Sequence, residues 1–522
     1  MHAFNPRLWL ALFPVFLLEG CATVSLRSMD RPPSSALPDP GVTRLGKQFL
    51  GLSKAHEGLS GFHLIEAGVD GLAARIQMVR SAERTLDVQY FIYRGDETGT
   101  FMTEELRHAA DRGVRVRVLV DDGDTVAGDE HLLQLDGHPN IEVRVFNPFD
   151  YRAHNLLLRN LDFMLHKSQL DYRMHNKLLV VDNAVALAGG RNIGNQYFQV
   201  DPRSQFADAD VFVAGPLAQT LSRSFDQFWN SDMVAPARAL GATARPYSPP
   251  PIIPVKQGSG VDYRAQADSG KPYAQLLDGQ LPLRWAPASV VFDSPDKKSI
   301  EAGQERGRLM GQAVEKRIAT ADAELLMVTP YFAPSPGELN LLKKVRARGA
   351  SVKVLTNSLQ SSTSLAAQSG YDKDRLPLAL AGVQFYEIRP QLGSTRGSGQ
   401  TRQISRYGNY GLHAKLYVFD RDQLFIGSWN FDERSLHINT EIGLFIDDAG
   451  LAGEVAERID AMMQPEASYH VVVAGDEPND HKLTWETQID HHTVRYSREP
   501  SRGWWQNLGE GIFRLLPLHH EL

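Results

Sequence analysis

The 522-residue sequence predicts an α/β protein made of two tandem α/β/α domains related by internal duplication, with one active site between them. Three observations predict it. Short apolar strands alternate with helical stretches, the pattern of sheets covered by helices. The order of these elements occurs twice. Each copy carries the motif H-x-K-x4-D, as His175-Asn176-Lys177 with Asp182 and as His413-Ala414-Lys415 with Asp420. Each motif has a Gly-x-x-Asn echo, Gly189 to Asn192 and Gly427 to Asn430, and the step from His to Asn is 17 residues in both copies.

Regular patterning begins near Phe62. In the first half, Gly68 to Arg84 has helical spacing, and Thr85 to Tyr93 is rich in β-branched and aromatic residues, as strands are. Thr103 to Ala110 is helical and closes at Arg112-Gly113, a C-cap signal. Val114 to Val120 and Ile141 to Phe146 are further strands. The second half repeats the order, with a helix from Gln312 to Thr320 and a strand from Glu324 to Thr329. A helix from Leu339 to Ala347 ends at Arg348-Gly349, and strands follow at Ser351 to Thr356 and Val383 to Ile388. This is a two-unit repeat, not a solenoid array.

These signals divide the chain into six parts: a leader over 1–21, a tether over 22–60, a first domain over 61–245, a Pro-rich linker over 246–300, a second domain over 301–475 and an extension over 476–522. Ser248 to Pro254 cannot be helical. Ser501 to Leu522 places Trp504, Trp505, Leu508, Ile512, Phe513, Leu515 and Leu516 near helical spacing, which suits a docked tail helix or a membrane-surface helix.

Apolar residues make up 42% of the chain and charged residues 22%, so it is not broadly disordered. A net charge of −7 gives no general attraction to nucleic acid, whose binding depends on basic residues neutralising phosphates. The single cysteine, Cys21, excludes an intramolecular disulfide framework and a cysteine-rich metal site. Arg7 and the apolar run Leu8 to Leu18 precede Leu18-Glu19-Gly20-Cys21, which resembles a bacterial lipobox with Glu19 as its one departure. Cys21 is therefore the candidate lipidation site, and Ala22 after it suits outer-membrane sorting.

The repeated motif points to an anion site. Strand alternation would put His175 and Lys177 on one face, and His413 and Lys415 likewise. An imidazole beside an ammonium suits a phosphate and suits a metal poorly, because Lys repels a cation and is not a usual ligand. Asn192 and Asn430 can add amide donors to the same oxygens, and Ser428 is an auxiliary candidate whose counterpart is Gly190. One histidine can act as nucleophile and the other as general acid and base. Each needs an acceptor on its second ring nitrogen, and Asp208 and Glu441, at similar places in the two halves, are the candidates. Asp182 and Asp420 end the motif strands and are read as structural, capping the turn or bridging elements. No metal is expected. Asp121-Asp122-Gly123-Asp124 is read as a strand-to-loop turn rather than a Mg²⁺ site. His491-His492 and His519-His520 are read as surface residues. Tyr90-Phe91 and Tyr331-Phe332, at matched strand ends, are equally suited to lining the pocket and to the core.

These residues resemble the phospholipase D superfamily, whose mark is a pair of H-x-K-x4-D motifs. Thr85 to Tyr93, Phe146-Asn147-Pro148, Arg173 to Lys177, Gly189 to Gly194, Leu355 to Leu359 and Asn430 to Ser435 look like bacterial cardiolipin synthases of the C type, and the likeness runs from about Phe62 to the C-terminus. The resemblance implies two phospholipase D-like domains and a phosphatidyltransferase that needs no cofactor. It implies His175, Lys177, Asp182, His413, Lys415 and Asp420 as the catalytic motif residues. A phosphatidyl group would pass to His175, and a phosphatidylglycerol hydroxyl activated by His413 would take it up. The donor is phosphatidylglycerol or phosphatidylethanolamine. Phospholipase D hydrolysis to phosphatidic acid is the alternative, with a nuclease further off. The expected partners are phospholipids and a membrane surface, not nucleic acid. The expected location is the periplasmic side, as an anchored lipoprotein.

Overall fold

The computed structural model describes residues 29–501 apart from 124–131, 133, 150–169, 202–203, 241–262, 298–308, 391–408, 476 and 478–479. Cys21, Asp124, the proline run 248–254, most of the tail 501–522 and His519-His520 lie outside the described residues. Among the described residues two large sheets form the frame. The first runs Arg284–Ala286, Ser60–Ile65, Asp210–Ala214, Val185–Gly189, Leu178–Val181, Thr85–Tyr90, Arg115–Asp121, Ile141–Phe146, Val234–Pro236. The second runs Ala288–Phe292, Ile442–Asp447, Gln423–Gly427, Leu416–Phe419, Glu324–Val328, Ser351–Asn357, Gln384–Ile388, Ser468–Ala474, Lys482–Ile489, His492–Tyr496.

From Ser60–Ile65 onward in the first sheet and from Ala288–Phe292 in the second, the strands correspond one to one through Val234–Pro236 and Ser468–Ala474. Their directions correspond too. In each half the motif strand pairs antiparallel with the strand whose next neighbour is parallel. The duplication read from the motifs is therefore a duplication of the whole sheet.

Burial explains why the motif strands are apolar throughout. Leu178 and Val180, with Leu416 and Val418, enter one core shared by the two halves. The alternate residues Leu179 and Val181 face the first outer core, and Tyr417 and Phe419 face the second. Strands covered on both faces need apolar residues at every position. Helices Gly68–Ser81 and Glu97–Asp111 cover the first outer face. Leu309–Ala319, Pro336–Ala347 and Leu365–Leu380 cover the second. Pro216–Trp229 and Ala449–Met462 supply the helical part of the shared core.

The predicted elements stand with shifted ends. The helix expected from Thr103 starts at Glu97, because the Asp96 side chain accepts the Gly99 N–H and caps it. The helix expected from Leu339 starts at Pro336, behind a capping box of Ser335 and Glu338. The H-x-K residues precede their strands, which begin at Leu178 and Leu416.

Three divisions of the chain need correction. The tether over 22–60 is docked from Arg31 onward, contains the helix Arg44–Ala55 and ends in the strand Ser60–Ile65. The linker over 246–300 contains helices Tyr263–Ser269 and Lys271–Leu277, whose Tyr263, Ala267, Leu276 and Leu277 are buried in the first core. It also holds Arg284–Ala286 and Ala288–Phe292, so the chain leaves one sheet and enters the other across Pro287. The extension over 476–522 adds Lys482–Ile489 and His492–Tyr496 to the second sheet, with Trp485 buried against it. Polar composition hid these elements because each buries only a few apolar residues. His491 and His492 lie exposed at this hairpin's turn.

Asp182 and Asp420 are turn caps in both halves. Asp182 accepts the backbone N–H groups of Glu83, Arg84 and Thr85, and Asp420 those of Asp322, Ala323 and Glu324. Each has φ near +50°, where an Asp is tolerated. They tie the motif strand to the start of its neighbour, at the end of the sheet away from the histidines. Asp182→Ala would leave three N–H donors without an acceptor at a buried position. We expect a loss of about 1–3 kcal/mol in urea unfolding, with turnover per folded molecule retained.

Candidate active site

His175 and His413 sit at the interface of the two halves, and each is held by the opposite half. The His175 N–H donates to the Thr440 carbonyl at 3.0 Å, and the Thr440 N–H donates back to the Arg173 carbonyl at 3.0 Å. The His413 and Ala414 N–H groups both donate to the Ala207 carbonyl, at 2.8 and 3.1 Å. Ahead of it, Asn409–Leu412 pairs in parallel with Ser204–Ala207 of the first half. Arg434 adds an ion pair to Asp171 at 2.7 Å across the same seam.

The carboxylates follow the same crossing. His175 Nδ1 lies 2.9 Å from Glu441 Oε2, and His413 Nδ1 lies 2.6 Å from Asp208 Oδ2. A carboxylate on Nδ1 holds the proton there and leaves Nε2 as the reactive nitrogen. The Phe91 ring packs edge-on against His175 at 5.1 Å. Tyr197 and Phe206 flank His413 at 5.1 and 5.2 Å.

Four buried cationic or imidazole groups share this space, and burial dominates their acidities. Burial and Lys177, with Lys415 and Arg434 further contributing, push His175 well below its ordinary value. Burial and Lys415 push His413 down to about 3, against the pull of Asp208. Burial also lowers Lys177 well below the lysine range and Lys415 to about 8. Both imidazoles are therefore neutral at pH 7, each with an unprotonated Nε2, beside two lysines whose charged forms burial disfavours, with Lys415 adding to that at Lys177. An anion between the halves would favour the charged form of each lysine.

Asn192 keeps one amide group unused by the fold. Its carbonyl oxygen accepts the Ile92 N–H at 3.0 Å, and its amide nitrogen is buried with no acceptor among the described residues. Asn430 is buried at the matching place, and its side-chain oxygen has no partner among the described residues. Ser428 is a correction. Its hydroxyl donates to Glu441 and accepts the Ile442 N–H at 3.0 Å, so it stands behind the carboxylate and not against a phosphate. Asp121 and Asp122 are engaged by the chain itself: Asp121 accepts the Met174 and Gly123 N–H groups, and Asp122 accepts that of Phe149. Of the aromatic pairs, Phe91 reaches the site, whereas Tyr90 is buried against Arg75 and Phe332 stacks on Phe431 in the core.

A family profile described as "Cardiolipin synthase, PLD-like domain" matches residues 75–229 and again 314–463. The chain belongs to the cardiolipin synthase-like branch of the phospholipase D superfamily. It is an enzyme with two phospholipase D-like domains, and its chemistry is transfer or hydrolysis at a phosphodiester. It is 33% identical to cardiolipin synthase C of Escherichia coli over 500 residues, covering 91% of this chain and 99% of that protein. It is 26% identical to cardiolipin synthase A of Pseudomonas aeruginosa, covering 76% of this chain and 66% of that one. The fold is also that of Haemophilus influenzae phosphatidylserine synthase, with a TM-score of 0.53 at 14% identity, covering 80% and 91% of the two chains.

The two half-sites of this phospholipase D-like enzyme differ behind their carboxylates. Burial would raise Asp208, but His413, Lys415 and Arg191 outweigh it and hold it down to about 2. Burial prevails at Glu441 and raises it to about 7, despite Lys177, two serine hydroxyls and Lys297. Arg191 also ties the loop before Asp210 to the end of the strand Ser60–Ile65, donating to the carbonyls of Asp208, Ile65 and Glu66. Trp429 occupies that place in the second half, and Lys297 takes over the task. Its ammonium lies 2.8 Å from Asp293 and from the carbonyls of Ser435 and Asn439, the segment that leads into Glu441. Ser435 itself donates to Glu441 at 2.9 Å. No repeat marked Lys297, Ser435 or Phe206 in the sequence. Only the position of Phe206, two residues before Asp208, was a signal.

A Cβ at Gly190 would stand 2.1 Å from Asp208 Oδ1. Gly190→Ser, which copies the other half, should displace Asp208 and lower kcat at least 100-fold, within the range that general acid–base help supplies. Ser428→Ala should cost far less, because Ser435 and His175 still hold Glu441. Steady-state kinetics of the two variants check this. Lys415 loses its charge as pH rises through about 8. Sulfate, which stays a dianion, should bind more weakly above pH 8 than at pH 7 by calorimetry, and Lys415→Met should reduce that dependence, leaving the part that Glu441 and Lys177 contribute.

Proposed function

We propose that this enzyme is a phosphatidyltransferase that makes cardiolipin from phosphatidylglycerol and a phosphatidyl donor. The observation that carries the reading is the pair of crossed histidine–carboxylate couples around two lysines and two asparagines, in a chain that is similar to cardiolipin synthase C over nearly its whole length. Nε2 of His175 attacks the donor phosphorus, and the bond from phosphorus to the headgroup oxygen breaks. His413 is first protonated at Nε2 within the bound complex, where the anion offsets the lysine charges, and gives that proton to the departing alkoxide. A phosphatidylglycerol hydroxyl then gives its proton to His413 and attacks the phosphohistidine, which releases His175. Lys177, Lys415, Asn192 and Asn430 hold the phosphoryl oxygens. Glu441 and Asp208 orient the two rings. The assignment of His175 as nucleophile follows the superfamily's usual order. No cofactor enters these steps.

Among the described residues no helix is long and apolar enough to cross a membrane. We place the enzyme on the periplasmic side, anchored to the membrane by a lipid on Cys21, with phospholipids as substrates and no nucleic-acid partner. Purified enzyme incubated with labelled phosphatidylglycerol, with and without phosphatidylethanolamine, should form labelled cardiolipin. Phosphatidic acid as the only product would make the enzyme a phospholipase D and overturn the transferase reading. His175→Ala and His413→Ala should each lower turnover at least 1000-fold while circular dichroism stays unchanged.

A further inference from the structure

The segment read as a free tether is a strap with a fixed direction. The Arg31 guanidinium donates to the carbonyls of Asp232 and Val234, at 3.2 and 3.1 Å, and pairs with the Asp232 carboxylate at 2.8 Å. The Pro32 carbonyl accepts from Arg144 at 2.8 Å. Ser34 gives its N–H to Asn230 and takes bonds on its carbonyl from Arg117 and Asn230. The Ala36 N–H donates to Asp226 at 2.9 Å, and the Leu37 carbonyl accepts from Asn183 at 2.9 Å. Arg117 and Arg144 are buried beneath it, so the strap completes the hydrogen bonding of two buried guanidinium groups.

Strand register shows which way it runs. Val234, at the Arg31 end, pairs with Phe146, the last residue of its strand, and Phe146 pairs with Asp121. Asp121 accepts the N–H of Met174, the residue before His175. Asn183, at the Leu37 end, lies in the turn where Asp182 caps Glu83 to Thr85, at the opposite end of the sheet. The chain thus reaches the folded body at the active-site end and runs away from it.

Nine residues, Ala22 to Asp30, separate Cys21 from Arg31. They span at most about 35 Å at ~3.3–3.6 Å per residue, whereas a tether over 22–60 would span about 130 Å. We propose that the strap is an orienting device: it holds the active-site end of the enzyme against the phospholipid surface that carries the anchor. The proposal rests on the reading that Cys21 is lipidated. A long free tether would let the body turn any face to the bilayer. The docked strap restricts it to the face where His175 and His413 lie, so that lipid phosphodiesters are presented to the site.

The test uses the full-length enzyme and a variant with 30 Gly/Ser residues inserted between Ser25 and Leu26, outside the docked strap. Turnover is measured on phosphatidylglycerol/phosphatidylethanolamine vesicles carrying the lipidated enzyme, and on the same lipids in detergent micelles. Effective concentration falls roughly as the −3/2 power of tether length, so vesicle turnover should drop on the order of tenfold while micelle turnover is unchanged. Equal turnover of the two enzymes on vesicles overturns the orienting role, and so does an equal fall in both assays. Cys21→Ser tests the anchor separately. Release of that variant from membranes supports the anchor. Its retention overturns the anchor, and with it the proposal, whatever the insertion does.

Discussion

The crossed pairing of each histidine with the other half's carboxylate is the constraint on which the rest of the structure depends. His175 needs Glu441, and His413 needs Asp208. Neither half contains a complete proton-holding couple. The two sheets must therefore meet along their inner faces in one register, and the shared core of Leu178, Val180, Leu416 and Val418 fixes that register. Backbone bonds at Thr440 and Ala207 transmit it to the histidines within a residue or two. A site assembled this way is sensitive to any shift between the halves, because the ring orientation depends on the opposite half.

The duplication is not an exact copy, and the differences lie behind the carboxylates. Asp208 fits only because Gly190 has no side chain. Glu441, one carbon longer, leaves room for Ser428 and is held by two hydroxyls instead. The supporting cation changes from Arg191, within the Gly-x-x-Asn echo, to Lys297, from the segment that enters the second half. Two histidines with the same immediate geometry thus sit in different electrostatic surroundings, with a strongly ionised carboxylate on one side and one raised to about 7 on the other. That asymmetry suits a reaction in which the two imidazoles do different work.

Segments that look like connectors also carry structural weight. The chain before the first helix completes the hydrogen bonds of Arg117 and Arg144. The residues around Pro287 join one sheet to the other without a free linker. Both features limit how far these segments can move against the sheets they join.

The sequence by itself determined the duplication, the strand and helix order and the identity of the paired His, Lys, Asn and carboxylate residues. Those features are local: periodicity, caps and motif spacing are written within a few tens of residues, and a repeat doubles the signal. Asp182 and Asp420 were legible as structural residues for the same reason. Only the tertiary structure decided that the carboxylates cross between halves, since no local pattern states which surface meets which. It also decided that Ser428 serves Glu441, that Lys297 stands in for Arg191, and that the polar segments at 29–60 and 263–292 are packed on the folded body or paired into its sheets. Each of those depends on a contact between residues far apart in the chain, where a single polar side chain or a few buried apolar groups leave no period to read.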